Sequence, residues 1–131
     1  MSDSCVSYSD LVGCKFAIHG RNKETGFDCY GLAIEVLRRN GIILKDFFYN
    51  SSEEGFAKEK EIIQGINAKE LQSPQINCIV EIAVNNNPKH IAVYIGNGQI
   101  IHATHSGVII EPLRRYEKRI RGFFKVNNIS L

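Results

Sequence analysis

The sequence predicts an α+β fold, with one firm helix in its first half and an antiparallel sheet in its second. Two observations carry this. Leu32, Ala33, Val36 and Leu37 recur at helical spacing. From Ile76 onward, short runs rich in β-branched residues alternate and are separated by glycine and asparagine turns too short for a parallel crossover.

The helix is expected over residues 28–40. Asp28 suits the N-cap, its carboxylate accepting from the amide of Tyr30 or Gly31. Gly41, after Asn40, suits a left-handed C-cap. Gly31 costs a helix about 1 kcal/mol relative to alanine, and a close approach by another backbone or by substrate would explain it. A second helical region is expected over 53–71, opened by a Ser51/Glu54 capping box and divided in two by Gly55 and Gly65. Strands follow at 76–84, 90–95, 99–104, 107–110 and 122–126, with the first two separated by "NNNP". "EPLRRYEKR", residues 111–119, reads as a loop or one helical turn.

The chain has 131 residues, read as a single domain spanning 1–131 that builds its core without metal or disulfides. It is 44% hydrophobic and 23% charged, with a net charge of +2, too small to imply a nucleic acid partner. The basic cluster Arg114, Arg115, Lys118, Arg119, Arg121 and Lys125 is read as a solvated face. No apolar run reaches the roughly 18 residues a membrane span needs. The start, "MSDSCVSYSD", is no secretory signal, so synthesis in the cytoplasm is expected. Cys5, Cys14, Cys29 and Cys78 form no CxxC or zinc-ligand spacing, and no metal or cofactor is expected. Cys78 in particular reads as a small core residue.

"GFDCYGL" puts a thiol in the first turn of the best helix. A helix start carries about half a positive charge and several amides without helical partners. That environment stabilises a thiolate. The backbone amides of Cys29 and Tyr30 would also hold an oxyanion. A cysteine nucleophile needs a base and a group to orient it. Of four histidines, His90, His102 and His105 fall in one predicted hairpin region, while His19 reads as an exposed loop residue. His105, in a turn beside Ser106, also reads as exposed.

Register decides which histidines meet. With Asn97-Gly98 as a two-residue turn, His90 faces His105. With a Gly96-Asn97-Gly98 loop and a glycine bulge, His90 faces Thr104 and lies diagonal to His102, about 7 Å away by backbone geometry. The second register leaves Ile91, Val93, Ile95, Ile101 and Ala103 on one apolar face and His90, His102, Tyr94 and Thr104 on the other, and is favoured for that reason.

"GRNKETGFDCYGL", "HIAVYIGNGQIIHAT" and "GVIIEPL" together resemble the NlpC family of papain-like cell-wall cysteine peptidases, over about residues 20–126, and look closest to its phage tail-associated branch. The resemblance implies a papain-like core. It implies Cys29 as nucleophile, His90 as general base and His102 as the residue orienting His90. It further implies hydrolysis of peptidoglycan stem peptides between D-glutamate and a diamino acid. Two positions depart from the family pattern: Ala17 where a tyrosine often lines the site, and Tyr30 where a serine usually follows the cysteine. Ala17, Asp28, Tyr30, Gly31 and Tyr94 are the candidate pocket residues. Partners would be the stem peptide and other phage tail or lysis proteins, with action on the wall from a virion or after release. Two rival readings stand beside this one: a catalytically silent component of the same fold, and an acyltransferase acting on other acyl groups.

Overall fold

The computed structural model describes residues 6–49, 68–84 and 87–126. A two-residue ribbon, β1 (Arg21–Asn22) and β2 (Gly26–Phe27), leads into α1 (Cys29–Arg39). The strands β3 (Ala68–Leu71), β4 (Ile79–Val84), β5 (Asn87–Gly96), β6 (Gln99–Thr104), β7 (Gly107–Pro112) and β8 (Ile120–Val126) follow, with a 3₁₀ turn at Leu113–Tyr116. They form one antiparallel sheet in the order β3-β8-β4-β5-β6-β7.

The expected helix stands, with Asp28 as its N-cap accepting from the Gly31 amide and Gly41 in the left-handed region at φ +78°. The second helical region lies almost wholly outside the described residues. Its last four, Ala68–Leu71, are an edge strand paired with β8, which corrects that part of the expectation. β5 begins at Asn87, so Asn87 and Pro88 belong to the strand and not to the break before it. β7 runs on to Pro112, and the expected helical turn is the 3₁₀ turn after it.

The sheet buries both faces. Ile79, Ile91, Val93, Ile101, Ala103 and Val108 form one core with Leu32, Ala33, Val36 and Leu37 of α1. Val80, Ile82, Ala92 and Ile100 form a second, covered by Leu113 and Tyr116 of the 3₁₀ turn and by Ile120 and Phe123. The face expected to be polar is therefore a small core of its own, and His102 sits in it at 2% exposure.

The β5–β6 hairpin combines elements of both expected registers. Asn97 (φ +55°) and Gly98 (φ +73°) make a two-residue turn between Gly96 and Gln99. The ladder then slips by one residue between Tyr94 and Gly96, so that Tyr94 pairs with Ile100 and Val93 with Ile101. The bulge restores the register that the apolar pattern demands: exposing the Ile91–Val93 face would cost more than one unpaired residue. A second slip, in the β4–β5 ladder between Ile82 and Ala83, falls directly beside His90.

Gly31 is explained by close approach. A Cβ there would collide with the Gly20 carbonyl oxygen and stand 2.7 Å from an Arg21 guanidinium nitrogen. Helix propensity alone would make Gly31→Ala stabilising by about 1 kcal/mol. Overpacking against a fixed backbone outweighs this, and Gly31→Ala should destabilise by about 1–3 kcal/mol, read from the urea midpoint.

Candidate active site

α1 presents Cys29 as its first residue, 7% exposed. Its position relative to the sheet is set by the segment before it. The Phe27 amide donates to the Lys15 carbonyl, and the Ala17 amide to the Phe27 carbonyl. Gly13 donates to Val108 and Val108 to Cys14, and the Phe16 ring stacks against His105 at 4.8 Å. The helix start is thus tied to the β6–β7 turn end of the sheet.

At that same end β5 and β6 part. Their paired residues stop at Val93 and Ile101. Beyond them His90 pairs with Ile82 of β4, and His102 with Ile109 of β7. The two imidazoles meet across the opening, with His90 Nε2 2.6 Å from His102 Nδ1. His102 Nε2 lies 2.5 Å from Glu111 Oε2. The Tyr116 hydroxyl donates to the same oxygen at 2.5 Å, and Arg115 reaches Glu111 Oε1 at 3.1 Å.

Electrostatics follow from burial. Burial pushes the His90 imidazole down from 6.5 to about 3, helped by neighbouring His102 and His105 and opposed by Glu111. Burial also lowers His102, against the raising effect of the Glu111 carboxylate. Glu111 is lowered despite its burial, because Tyr116 and His102 donate to it. Burial and the Glu111 hydrogen bond push Tyr116 up to about 12. Both paired histidines are therefore neutral at pH 7. An unfolded chain protonates them below about 6.5, whereas folded His90 resists until about 3. Unfolding then takes up protons, so the stability present above pH 6.5 declines as pH falls through that window. Urea titrations between pH 7 and 5 should show this decline, and His90→Ala should flatten it.

Asp28 is buried and fully engaged. It accepts from the Gly31 amide at 2.8 Å, the His19 amide at 2.8 Å, Arg21 Nη1 at 3.1 Å and the Tyr49 hydroxyl. Arg21 also binds Asp46, the Gly20 carbonyl and Tyr49. Burial and Asp28 push the Tyr49 hydroxyl above its usual range. This network holds β1 against the helix start.

Not every candidate pocket residue presents its side chain to this end of the sheet. Tyr30 is 1% exposed, packs on Phe47 and donates to the Lys45 carbonyl, so its ring belongs to the core. Tyr94 accepts from the Gly98 amide at the far turn of the hairpin. Gly31 is filled by the Gly20 carbonyl, and Ala17 is half-buried beside β2. His19 is not an exposed loop residue. Its ring bonds the Phe47 carbonyl at 3.0 Å and packs on Tyr49. His105 is exposed as expected. Cys78 is core, and Cys5 lies outside the described residues. Glu111 and Tyr116 were not singled out by sequence. The available signal was an acidic residue ending the apolar run "GVII".

A family model described as "NlpC/P60 family" matches residues 13–123. The chain belongs to the NlpC/P60 family. Among curated relatives it is 29% identical over 108 residues to the murein DD-endopeptidase MepS/murein LD-carboxypeptidase of Escherichia coli strain K12, covering 81% of this chain and 51% of that protein. It is 28% identical over 102 residues to the bifunctional muramidase/DL-endopeptidase CwlT of Bacillus subtilis, covering 78% of this chain and 29% of that one. The chain thus spans about half the length of the first and less of the second. In fold it matches an NlpC/P60 family protein from Bacillus cereus (TM-score 0.61, 21% identity, 92% of this chain and 40% of that chain). It also matches the NlpC/p60 domain of the peptidoglycan hydrolase SagA (TM-score 0.58, 16% identity, 90% of this chain and 92% of that chain). The papain-like NlpC fold and the family expected from the sequence are both borne out.

Proposed function

We propose that this NlpC/P60 chain is a peptidoglycan hydrolase, a cysteine endopeptidase that cleaves the stem peptide between D-glutamate and a diamino acid through a thiol acyl-enzyme. The observation that carries this reading is the 2.6 Å His90–His102 hydrogen bond at the end of the sheet to which the Cys29 helix start is tied. Family membership supports it, as do the murein-directed activities in the names of the two curated relatives.

In this mechanism His90 uses Nε2 on His102 and keeps Nδ1 as the base for the Cys29 thiol. The thiolate attacks the amide carbon. The backbone amides of Cys29 and Tyr30, at the positive end of α1, hold the oxyanion. The C–N bond breaks as His90 returns its proton to the leaving amine. A water deprotonated by His90 then releases the acid and the thiol. Ala17 replaces a tyrosine that often lines the family's site, so this wall of the cleft carries no hydroxyl at that position. Partners and place follow the same proposal: wall peptides as substrate, phage tail or lysis proteins as carriers, and action at the wall from a virion or after release.

Purified protein incubated with defined muropeptides tests the reading, with products identified by mass spectrometry. One substrate should contain the D-glutamyl–diamino acid bond and another a DD-crosslinked dimer, since the relatives' names divide between DL and DD bonds. Cleavage of the first supports the proposal, and cleavage of the second alone moves the bond. No cleavage, with Cys29 slow toward iodoacetamide, would instead support a silent structural component.

A further inference from the structure

We propose that Glu111, held by Tyr116, is a positioning residue of the site: it fixes the direction of the hydrogen-bond chain through His102 and so leaves a lone pair on His90 Nδ1. The inference rests on the reading of His90 as base, and extends it to a residue outside the Cys29, His90 and His102 group.

The argument is one of donors and acceptors. A carboxylate only accepts. Glu111 Oε2 takes the Tyr116 hydroxyl and faces His102 Nε2, both at 2.5 Å, while Arg115 stands at Oε1. His102 must therefore carry its proton on Nε2. A neutral imidazole protonated there has a lone pair on Nδ1, which must accept from His90 Nε2 at 2.6 Å. His90 then has its proton on Nε2 and its lone pair on Nδ1, the form a general base for a thiol requires. Reversing any link would place two protons, or two lone pairs, in a contact of 2.6 Å or less. His102 is 2% exposed and Glu111 7%, so water does not compete for these positions. The Tyr116 ring stands edge-on to His102 at 5.5 Å, with the Arg119 guanidinium 4.8 Å over the ring, and these contacts hold the outer end of the chain in place.

The register makes this geometry necessary. His102 projects from β6 toward the second core, and Glu111 from the neighbouring β7, where Ile100 pairs with Glu111 and His102 with Ile109. The two side chains therefore lie diagonally on one face, within reach of each other. A carboxylate in an otherwise apolar cluster of Val80, Ile82, Ala92 and Ile100 needs a partner of this kind to be tolerated.

The test is ¹⁵N NMR of the wild-type imidazoles at pH 7, followed by Glu111→Ala and Glu111→Gln. Wild type should show both His90 and His102 as the Nε2–H form, and the Nδ1–H form at His102 would overturn the proposal without any variant. Glu111→Ala should mix the His102 forms. It should lower kcat by on the order of 10²-fold with KM little changed, a smaller loss than the roughly 10⁴ seen when a carboxylate touching the base itself is replaced by its amide. Glu111→Gln fills the same place but can turn its carbonyl to Arg115 and its NH2 to His102 Nε2, so it should shift His102 toward the Nδ1–H form and lose at least as much kcat as Glu111→Ala. Equal losses in both variants with wild-type imidazole forms would mean that Glu111 is merely structural. If no muropeptide is cleaved but the imidazole forms behave as stated, the positioning role stands and the substrate assignment falls.

Discussion

Cys29→Ala should abolish stem-peptide cleavage, with kcat falling at least about 10⁴-fold. The residue occupies the first helical position, 7% exposed, at the end of the sheet where β5 and β6 open. Removing one sulfur from so small a side chain leaves little void, so Tm should stay within about 5 °C of wild type. His90→Ala should be comparably inactive, because nucleophile and base act as a unit. The double variant should then be no worse than either single one. His102→Ala should lose less if, as proposed, it acts through the His90 ring that it bonds. Cleavage by Cys29→Ala at even a tenth of the wild-type rate would remove Cys29 as nucleophile. Loss in Cys29→Ala but not in His90→Ala would keep the thiol and require another base.

Asp28→Ala should cost about 3–5 kcal/mol, read as a lowered urea midpoint with unchanged slope. Asp28 is the N-cap, and losing a cap costs about 1 kcal/mol. It also accepts from the His19 amide, Arg21 and the Tyr49 hydroxyl, and leaving such donors unsatisfied adds about 1–3 kcal/mol each where water cannot reach. Arg21 keeps Asp46 and the Gly20 carbonyl, which limits the total. Asp28→Asn retains an oxygen for the Gly31 amide and should lose roughly half as much. Kinetics should suffer in Asp28→Ala as well, because the same network holds the helix start that carries Cys29. A loss below about 1 kcal/mol would mean that these bonds do not bear on folding, and would return Asp28 to the list of substrate contacts.

Local patterning was sufficient for much of this. Helical spacing, the Asp28 cap and Gly41 define α1 because each acts within one turn of chain. The hairpin register followed from which face had to be apolar, and the structure reaches it by a different device, a two-residue turn followed by a bulge. Helical phase also places Tyr30 in the core, since it shares a face with Ala33 and Leu37, and all three are buried.

What the sequence by itself determined, then, is the family, the Cys29 helix and the relative register of His90 and His102, since each depends on neighbours along the chain or across one hairpin. The tertiary structure alone decided the rest. Asp46 and Tyr49 meet Arg21, and Tyr49 meets Asp28, only because the loop after α1 returns to the helix start, across separations of 25 and 28 residues from Arg21. Gly31 is a glycine because the Gly20 carbonyl fills the space a Cβ would take. Glu111 reaches His102 because β7 pairs with β6 in one register and the 3₁₀ turn folds Tyr116 back over both. The physical reason is common to all three. Two are buried polar groups that must be satisfied and one is a steric contact, but each joins atoms that only the packed chain brings together, and sequence spacing carries no record of that meeting.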